Sequence, residues 1–407
     1  MKKLIFFPGN IDCPFALNEY RYYKDYFDEI IIFSYPGEEK KYKELAEQFQ
    51  FKLIIVGKKK FSFIFNWKFY SWLLRKEVKE EIKKYTGLSI SGIKRFAYLA
   101  MYGMFYLECK PYFDSLSSSG NLYFYSFWLS RPAYAIALYN SQNKNKNTVK
   151  TISRAHGFDI YLYRNPLNYL PFRLFIDSNL DEIHFISDDG LQYYKKNIAA
   201  ECRTGSLKRV SRLGTYISSF ENRKKENKFV FVSCSNVVEV KRIDLIIDVL
   251  SNLNHDFIWY HIGDGKLLDD MKAKAEKMLK QGSFKFLGKL NNEEIIPFYK
   301  EKGINLFINM SDSEGIPVSF MEAMSCGIPV IARNVGGIKE IVTKENGLLL
   351  NPFEDLGVYT SEIFLFLNEL EDSYEAYSNA AFDTWINNYN AKDIYPAFLK
   401  RLSNTTN

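Results

Sequence analysis

One stretch of the chain, residues 303–342, restricts the fold more than any other part of the sequence. It opens with the apolar run Ile304–Ile308, which has the length of a strand, and Pro317 then suits the first position of a helix, where a missing N–H costs nothing. Gly327 ends that helix, and Val330–Ala332 starts a second strand. Two short strands joined by a helix form a right-handed parallel βαβ unit, and open α/β sheets bind ligands at the carboxyl ends of such strands.

Two carboxylates in this unit require an explanation. Glu314 comes just before the predicted helix, and Glu322 lies inside it among apolar residues, without a Lys or Arg within reach on its own helix. A buried carboxylate is costly unless a partner donates to it. Both side chains can border one pocket at the helix start, where the N–H groups of Val318 and Ser319 form an anion site. This combination suits a ligand with hydroxyls and phosphates, namely a nucleotide sugar; the alternative is a surface Glu314 and a Glu322 that pairs with a distant cation.

Seven residues separate Glu314 from Glu322, within the string EGIPVSFMEAMSCGIPVIA. This string resembles the E-x7-E signature of retaining GT-B glycosyltransferases, family 4 (glycosyl transferases group 1). The resemblance implies an α/β fold of GT-B type, with two Rossmann-like doubly wound domains facing a central cleft. It also implies that Glu314 binds the donor sugar, that Glu322 binds the ribose hydroxyls and that Gly315 lets the chain pass close to the sugar. The donor-binding residues of this stretch are then Gly315, Ile316, Val318, Ser319 and Glu322.

A second segment, Ser235–Arg242 (SNVVEVKR), resembles the phosphate-binding segment of the same family. That segment carries an Arg and, five residues later, a Lys. Lys241 matches the Lys, whereas Asn236 stands where the Arg is expected. By the resemblance, the Lys241 ammonium stabilises the charge that develops on the leaving diphosphate. Arg242 is a candidate substitute for the missing Arg, and the alternative for both cations is an ordinary place on the surface.

Further candidates lie at the ends of predicted strands. His156, in the string RAHGFD, resembles the first-domain histidine near the transferred sugar; the alternative is a structural histidine, and Asp159 either orients it or forms a turn. Gly263 (in GDG) and Gly288 (in LGK) resemble the loops that read the nucleobase through backbone groups. Gly9 follows the first predicted strand and allows close approach of a ligand, although a plain turn explains it equally well.

The length and the alternation of elements predict two domains. At 407 residues a single compact domain is disfavoured, and short apolar strands alternate with helices in both halves. With the family resemblance, we expect an acceptor-binding Rossmann-like domain at 1–217 and a nucleotide-sugar-binding one at 218–380. A C-terminal helix at 381–407 is expected to cross back to the first domain. The charged segment Phe220–Lys228 lacks apolar periodicity and is the expected linker.

The cysteines limit which kinds of site and which cellular compartment are expected. All five are scattered, with no C-x-x-C and no Cys/His cluster in the sequence. A structural zinc site and a disulfide framework are therefore disfavoured, and a reducing cytoplasm is the expected compartment. No run reaches the roughly 18–20 apolar residues of a membrane span. Because the sequence has no metal-ligand pattern, we expect Lys241 and a helix N-terminus to hold the diphosphate, with no obligatory metal or other cofactor.

One segment, Gly57–Ala100, is strongly basic: it has eleven Lys and Arg residues against three Glu. Large aromatic residues are mixed with these charges, including Phe61, Phe63 and Phe65, a combination that suits an anionic membrane surface. Trp67–Lys84 follows a helical pattern, with Trp67, Tyr70, Leu74, Val78 and Ile82 on one side. The alternatives are two helices that pack on the sheet with a solvated basic face, or a nucleic-acid site, which we do not expect.

Together these features predict a transferase that moves a sugar from a nucleotide-diphosphate donor to a hydroxyl acceptor, and the family resemblance implies retention at the anomeric carbon. We expect a UDP-sugar donor first and a GDP-sugar second. The expected acceptor is a lipid-linked glycan or oligosaccharide of bacterial surface polysaccharide synthesis, at the inner face of the cell membrane. The alternatives are a catalytically degenerate nucleotide-binding module, or a phosphorylase or epimerase on the same fold.

Overall fold

The computed structural model describes residues 1–57, 67–116, 120–143, 149–165, 167–202, 205–216 and 228–404, apart from the side chains of Pro14 and Glu201. Two compact units make up the chain. The first comprises Met1–Ser211 and Tyr395–Asn407, and the second comprises Arg212–Ile394. The expected linker Phe220–Lys228 lies, except for Lys228, outside the described residues.

Apolar runs build the sheet of the first unit. Its strands are β1 (Lys2–Gly9), β2 (Glu29–Ser34), β3 (Lys52–Ile55), β4 (Asn121–Ser126), β5 (Val149–Ala155), β6 (Glu182–Phe185) and β7 (Leu207–Val210). Within the described residues they form a parallel sheet in the order β3-β2-β1-β4-β5-β6-β7. Residues 4–7 of the central strand β1 are buried, as expected for a parallel strand that is covered on both faces.

Helices connect these parallel strands. They are α1 (Pro14–Tyr20), α2 (Glu39–Gln48), α3 (Trp67–Leu73), α4 (Lys76–Tyr85), α5 (Ile90–Asp114), α6 (Arg131–Gln142), α7 (Gly157–Ile160), α8 (Arg173–Asn179) and α9 (Asp188–Asn197). In the described part of the chain, no helix is both long and apolar enough to cross a membrane.

The prediction of one helix over Trp67–Lys84 is wrong. The structure has two helices here, α3 and α4, because Arg75 takes an extended conformation (ψ 147°) as the N-cap of α4. The buried aromatic residues of α3 are Phe69 and Trp72. The predicted apolar stripe is instead exposed in α3 and just after it, at Trp67, Tyr70 and Leu74. Phe61, Phe63 and Phe65, which the sequence grouped with them, lie outside the described residues.

The C-terminal helix α15 (Ala391–Ser403) packs on the first sheet through its second half. Lys150 on β5 donates from Nζ to the carbonyl of Arg401 at 2.9 Å. The buried Arg154 guanidinium lies 4.0 Å from the centroid of the Phe398 ring. This part of the helix therefore belongs to the first unit.

A second parallel sheet forms the core of the second unit. Its strands are β8 (Phe229–Cys234), β9 (Phe257–Ile262), β10 (Phe284–Phe286), β11 (Leu306–Asn309), β12 (Val330–Arg333) and β13 (Gly347–Leu350). Its helices are α10 (Ile243–Ser251), α11 (Leu268–Met278), α12 (Asn292–Glu301), α13 (Val318–Met324) and α14 (Leu356–Asn388). Within the described residues the strand order is β10-β9-β8-β11-β12-β13, the doubly wound order of dinucleotide-binding folds.

The βαβ unit predicted from residues 303–342 is β11, α13 and β12. Strands β11 and β12 pair in parallel, as the sequence indicates. Pro317 is the N-cap of α13 rather than its first helical residue, since its ψ of 130° is extended. The strand β11 ends at Asn309, and the edge of the sheet that is predicted to bind a ligand lies at this carboxyl end.

Candidate active site

Two loops of the second unit meet at the centre of its sheet. The loop after β8 spans residues 235–242 and the loop after β11 spans residues 310–317. Strands β8 and β11 are hydrogen-bonded neighbours, and the strand order reverses between them. The loops are joined directly, because the N–H of Asp312 donates to the carbonyl of Val240 at 2.8 Å. This is the topological switch point, where open α/β sheets bind ligands.

An ion pair also joins the two loops. Lys241 donates from Nζ to Glu314 Oε1 at 2.5 Å, and Asn309 Nδ2 lies 3.5 Å from the same oxygen. Glu314 is only 7% exposed, so the alternative of a surface glutamate is wrong. An ammonium and a carboxylate in contact can bind a ligand that carries both anionic oxygens and hydroxyl donors, since charge-assisted hydrogen bonds are the strong ones.

Glu322 lies on the second turn of α13. Its carboxyl is near enough to Cys234, at the end of β8, and to Tyr299 to influence both electrostatically. Burial raises the pKa of the Glu322 carboxyl to about 7. The group therefore exchanges its proton near neutral pH, and hydroxyl donors from a ligand would favour its charged form.

Asp312 and Arg333 support these loops and were not among the candidates from the sequence. The buried Arg333 guanidinium donates to the carbonyl of Met310 at 3.1 Å and to the Asp312 carboxylate. Asp312 also accepts from Arg242 Nη1 at 3.3 Å. One carboxylate thus joins the ends of β12 and α10 to the loop that carries Glu314. An aspartate in a Ser-Asp-Ser loop indicates only a turn, so the sequence held no signal for this network.

Asn236 and Arg242 both lie in Ser235–Arg242, the segment that the sequence predicts to bind phosphate. Asn236, at the position of the expected Arg, is exposed. Arg242 has a left-handed backbone (φ 49°), and its guanidinium pairs with Asp244 at 3.1 Å as well as with Asp312. The charge of Arg242 is therefore already compensated by two carboxylates.

The candidates at the ends of β9 and β10 lie beside the loop after β8. Gly263 has a φ of 147°, and a Cβ at this position would lie 1.8 Å from the carbonyl oxygen of Ser235. The N–H of Gly263 donates to the carbonyl of Gly288 at 2.8 Å. Glycine at 263 therefore lets three neighbouring strand ends pack together at this edge of the sheet.

A glycine also fixes the loop that carries Glu314. Gly336, after β12, has a φ of 56°, and a Cβ there would lie 2.0 Å from the carbonyl oxygen of Glu314. Close packing of these two loops therefore requires glycine at 336. The other donor-site candidates follow on the same loop and at the start of α13: Gly315, Ile316, Val318 and Ser319.

In the first unit, His156 lies at the carboxyl end of β5. Its Nε2 lies 2.9 Å from the carbonyl oxygen of Phe127, which can only accept, so Nε2 carries the proton. The imidazole centroid is 4.3 Å from the Trp128 ring. Burial, with a smaller effect of the Arg154 charge, lowers the pKa of His156 to about 3. The ring is therefore neutral, and its Nδ1 is an acceptor.

Asp159 lies in the short helix α7 and contacts the backbone of His156. Its carboxylate accepts from the backbone N–H groups of His156 (3.3 Å) and Leu129 (3.1 Å), and burial raises its pKa to about 6. Gly9, at the end of β1, is a neighbour of this group: a Cβ there would lie 3.4 Å from Trp128 Nε1. Gly9, Trp128 and His156 thus follow three adjacent strands at the switch point of the first sheet.

A metal site needs several His, Cys, Asp or Glu side chains that lie close together. No group of three or more His, Cys, Asp or Glu side chains in the described part of the chain could hold a metal ion.

The sequence of the second unit is similar to that of a known protein family. The sequence profile of the family described as Glycosyl transferases group 1 matches residues 217–382. The O-antigen biosynthesis glycosyltransferase WbnH of Escherichia coli is 32% identical over 161 residues, which are 39% of this chain and 42% of that protein. The UDP-Gal:alpha-D-GlcNAc-diphosphoundecaprenol alpha-1,3-galactosyltransferase of Escherichia coli is 28% identical over 152 residues, 36% of each chain. The chain thus matches less than half of the length of these two relatives.

The fold, in contrast, is matched along the whole chain. The crystal structure of Anabaena Alr3699/HepE in complex with UDP has a TM-score of 0.68 and 15% sequence identity, and the match covers 99% of this chain and 100% of that one. The predicted fold class, α/β with two Rossmann-like doubly wound domains as in GT-B glycosyltransferases, is confirmed. Within this fold, the sequence similarity to the Glycosyl transferases group 1 family lies in residues 217–382.

Proposed function

We propose that the chain is a glycosyltransferase that moves a sugar from a nucleotide-diphosphate sugar to a hydroxyl acceptor, with retention at the anomeric carbon. One observation carries the proposal: the contact of Lys241 with Glu314 at the switch point of a sheet whose sequence matches glycosyl transferases group 1. Glu322 lies one helix turn away from the same loop. The family resemblance assigns these three charged residues to the donor: Glu314 and Glu322 through the E-x7-E string, and Lys241 through the segment Ser235–Arg242.

Lys241 and Glu314 exchange partners when the donor binds. In the free protein each neutralises the other. The oxygens of a donor diphosphate carry more negative charge than one carboxylate, so they compete with Glu314 for the ammonium of Lys241. Glu314 is then released to accept from a hydroxyl of the transferred sugar. As the sugar–phosphate bond breaks, negative charge grows on the diphosphate, and the ammonium stabilises it.

Glu322 receives the two ribose hydroxyls of the donor. A carboxylate can accept both, whereas a protonated carboxyl retains less acceptor capacity. Since burial raises the pKa of Glu322 to about 7, ribose binding favours loss of its proton. Donor affinity therefore rises with pH through about 7.

The donor base is uracil in this proposal, with guanine as the second choice. Support comes from the HepE structure, which was solved in complex with UDP. The base would lie against the backbone of Gly263 and Gly288, where the ends of β9 and β10 meet. In the first unit, the neutral His156 would accept a sugar hydroxyl at Nδ1.

The acceptor is proposed to be a lipid-linked glycan of bacterial surface polysaccharide synthesis. Support comes from the names of two relatives, which refer to O-antigen biosynthesis and to a diphosphoundecaprenol-linked sugar. Such an acceptor would place the protein peripherally at the inner face of the cell membrane, with the first unit as the acceptor-binding domain.

Nucleotide release tests this function. The full chain is incubated with a panel of UDP- and GDP-sugars, with and without a lipid extract that contains the acceptor, and free nucleotide is measured. We expect release of UDP from one donor, faster with extract, and loss of release in Lys241→Ala. Nucleotide binding without release from any donor would instead identify the degenerate binding module. The exposed Asn236 and the compensated Arg242 favour that second candidate. A requirement for free phosphate would identify a phosphorylase.

A further inference from the structure

The turn between α4 and α5 exposes apolar side chains that a soluble surface normally buries. Leu88 is 101% exposed, Ile90 is 76% exposed and Ile93 is 59% exposed. Ile90 and Ile93 are three residues apart on α5, so they lie on the same side of the helix. Leu88, Ile90 and Ile93 therefore form an apolar tip, which we call the α4–α5 tip. Three exposed aliphatic side chains within six residues mark an interaction site.

The α4–α5 tip is a preformed structure. Ser89 caps α5 by accepting the N–H of Gly92 at 3.1 Å. A Cβ at Gly92 would lie 2.4 Å from the carbonyl oxygen of Gly87, so the turn folds tightly onto the helix. Arg95 holds the base of the turn by donating to the carbonyl of Leu167 at 2.9 Å. The apolar side chains are thus held outward by backbone contacts rather than left exposed by a loose loop.

Positively charged residues flank the tip in the sequence. Lys83 and Lys84, in the last turn of α4, and Lys94, on α5, are exposed. Residues 82–94 contain no Asp or Glu in the sequence. The nearest preceding acid, Glu81, points into the unit, where its carboxylate accepts from the Tyr169 hydroxyl at 2.8 Å. The tip therefore combines three exposed aliphatic side chains with three exposed lysines that are near them in the chain.

We propose that the α4–α5 tip docks on the surface of a bilayer that contains anionic phospholipid. Charge complementarity selects this partner: the lysines attract anionic headgroups, while Leu88, Ile90 and Ile93 enter the acyl boundary. A second copy of the chain is disfavoured, because a symmetric contact would bring two sets of three lysines together. Nucleic acid would leave the aliphatic side chains without a partner, since it is bound through cations and aromatic stacking. Vesicle binding stands without the proposed function; only its link to a lipid-linked acceptor rests on that function.

Vesicle flotation tests the docking. The full chain is mixed, without donor, with vesicles of phosphatidylcholine alone or of phosphatidylcholine with the anionic lipid phosphatidylglycerol. One variant combines Lys83→Gln, Lys84→Gln and Lys94→Gln; a second combines Leu88→Ser, Ile90→Ser and Ile93→Ser. The matched charge control is Lys195→Gln with Lys196→Gln, an exposed lysine pair in the last turn of another ten-residue helix of the same unit. Leu365→Ser, at a leucine that is 65% exposed on α14, is the apolar control.

We expect the native chain to float at least about tenfold better with the anionic vesicles, because the three exposed lysines are attracted to anionic headgroups. The lysine variant should lose that preference and the salt dependence that accompanies it, whereas the serine variant should lose binding to both vesicle types. Both controls should float as the native chain does. Thermal melting checks that the variants are folded. Equal flotation of the lysine variant and its control would overturn the proposal. An absence of vesicle binding would also overturn it. If single-stranded oligonucleotide then gave a gel shift that the lysine variant abolishes, the tip would be assigned to nucleic acid.

Discussion

The two switch points of this chain share one type of sheet and differ in their linings. In the second unit, Lys241, Glu314 and Glu322 gather at the ends of β8 and β11, and the lining is charged. In the first unit, Gly9 ends β1, Trp128 and a neutral His156 follow β4 and β5, and none of these three residues carries a charge. The scaffold alone therefore does not decide what binds; the loops do. A charged lining suits a diphosphate, and a neutral one suits sugar hydroxyls.

Among substitutions at the two switch points, replacing Lys241 should lower sugar transfer the most. Lys241→Ala removes the ammonium that faces the leaving diphosphate, so we expect sugar transfer to fall by about 10²–10³-fold in kcat. Steady-state kinetics of nucleotide release measures the change. The control is Lys266→Ala, in an exposed pair with Glu239 close to the same loop, which should leave kcat unchanged. Equal kinetics of the two variants would contradict a special role of the charged lining.

Replacing Glu322 should weaken nucleotide binding rather than the chemical step. Glu322→Gln keeps the shape but loses the charged acceptor, and a hydrogen bond to a charged group contributes about 1.5–3 kcal/mol. We expect the Kd for UDP to rise by roughly 10–100-fold at pH 8, with a smaller rise at pH 6, where the native carboxyl is itself largely protonated. Isothermal calorimetry at both pH values checks this. An effect that does not depend on pH would separate Glu322 from the nucleotide.

The two switch points should respond to pH with opposite signs. The folded pKa of Glu322, about 7, lies above its ordinary 4.5, so stability from this group falls as pH rises from about 5 to 7. The folded pKa of His156, about 3, lies below its ordinary 6.5, so stability from this group falls as pH drops below 6.5. Each contribution is limited to about 1.4 kcal/mol per pH unit, the value for one proton.

Melting curves of the native chain, Glu322→Gln and His156→Gln from pH 4.5 to 8 test these slopes. Relative to the native chain, the gain in melting temperature should be largest at pH 8 for Glu322→Gln and largest at pH 4.5 for His156→Gln. Parallel curves for all three proteins would mean that neither group titrates as its burial implies.

Arg242 should show the smallest effect. Its guanidinium is compensated by Asp244 and Asp312, so Arg242→Gln is expected to weaken UDP binding by no more than about threefold, the range of an exposed ion pair. Calorimetry on Arg242→Gln and Lys241→Gln gives the comparison. A loss as large as that of Lys241→Gln would show that Arg242 leaves its aspartates to bind the diphosphate in place of the Arg missing at Asn236.

The sequence predicts most of the fold because its signals are local. Apolar runs of strand length, ended by glycine and proline, mark β11, α13 and β12, and the structure confirms their parallel pairing. The prediction over Trp67–Lys84 failed for a tertiary reason. The sequence contains an apolar stripe, but the structure buries Phe69 and Trp72 on another side of α3. Arg75, with an extended backbone, separates α3 from α4. Periodicity alone does not tell which of two apolar sides will be buried.

The site was predicted only as far as each residue belongs to a motif. The E-x7-E string leads to Glu314 and Glu322, and resemblance leads to Lys241. Asp312 and Arg333 belong to no motif, because their network depends on three loops that meet only in the folded sheet. Likewise, no local pattern tells that Lys241 and Glu314, 73 positions apart, are in contact.

The central claim is that the charged switch point of the second unit holds a nucleotide diphosphate. Thermal melting of the full chain with UDP, GDP, ADP and CMP, on the native protein and on Glu322→Gln, tests it most directly. A ligand at about 100 times its Kd adds roughly 2.7 kcal/mol to the free energy of unfolding. We predict that UDP raises the melting temperature of the native chain at pH 8 and raises that of Glu322→Gln much less. An equal rise in both proteins, or no rise with any of the four nucleotides, would contradict the claim.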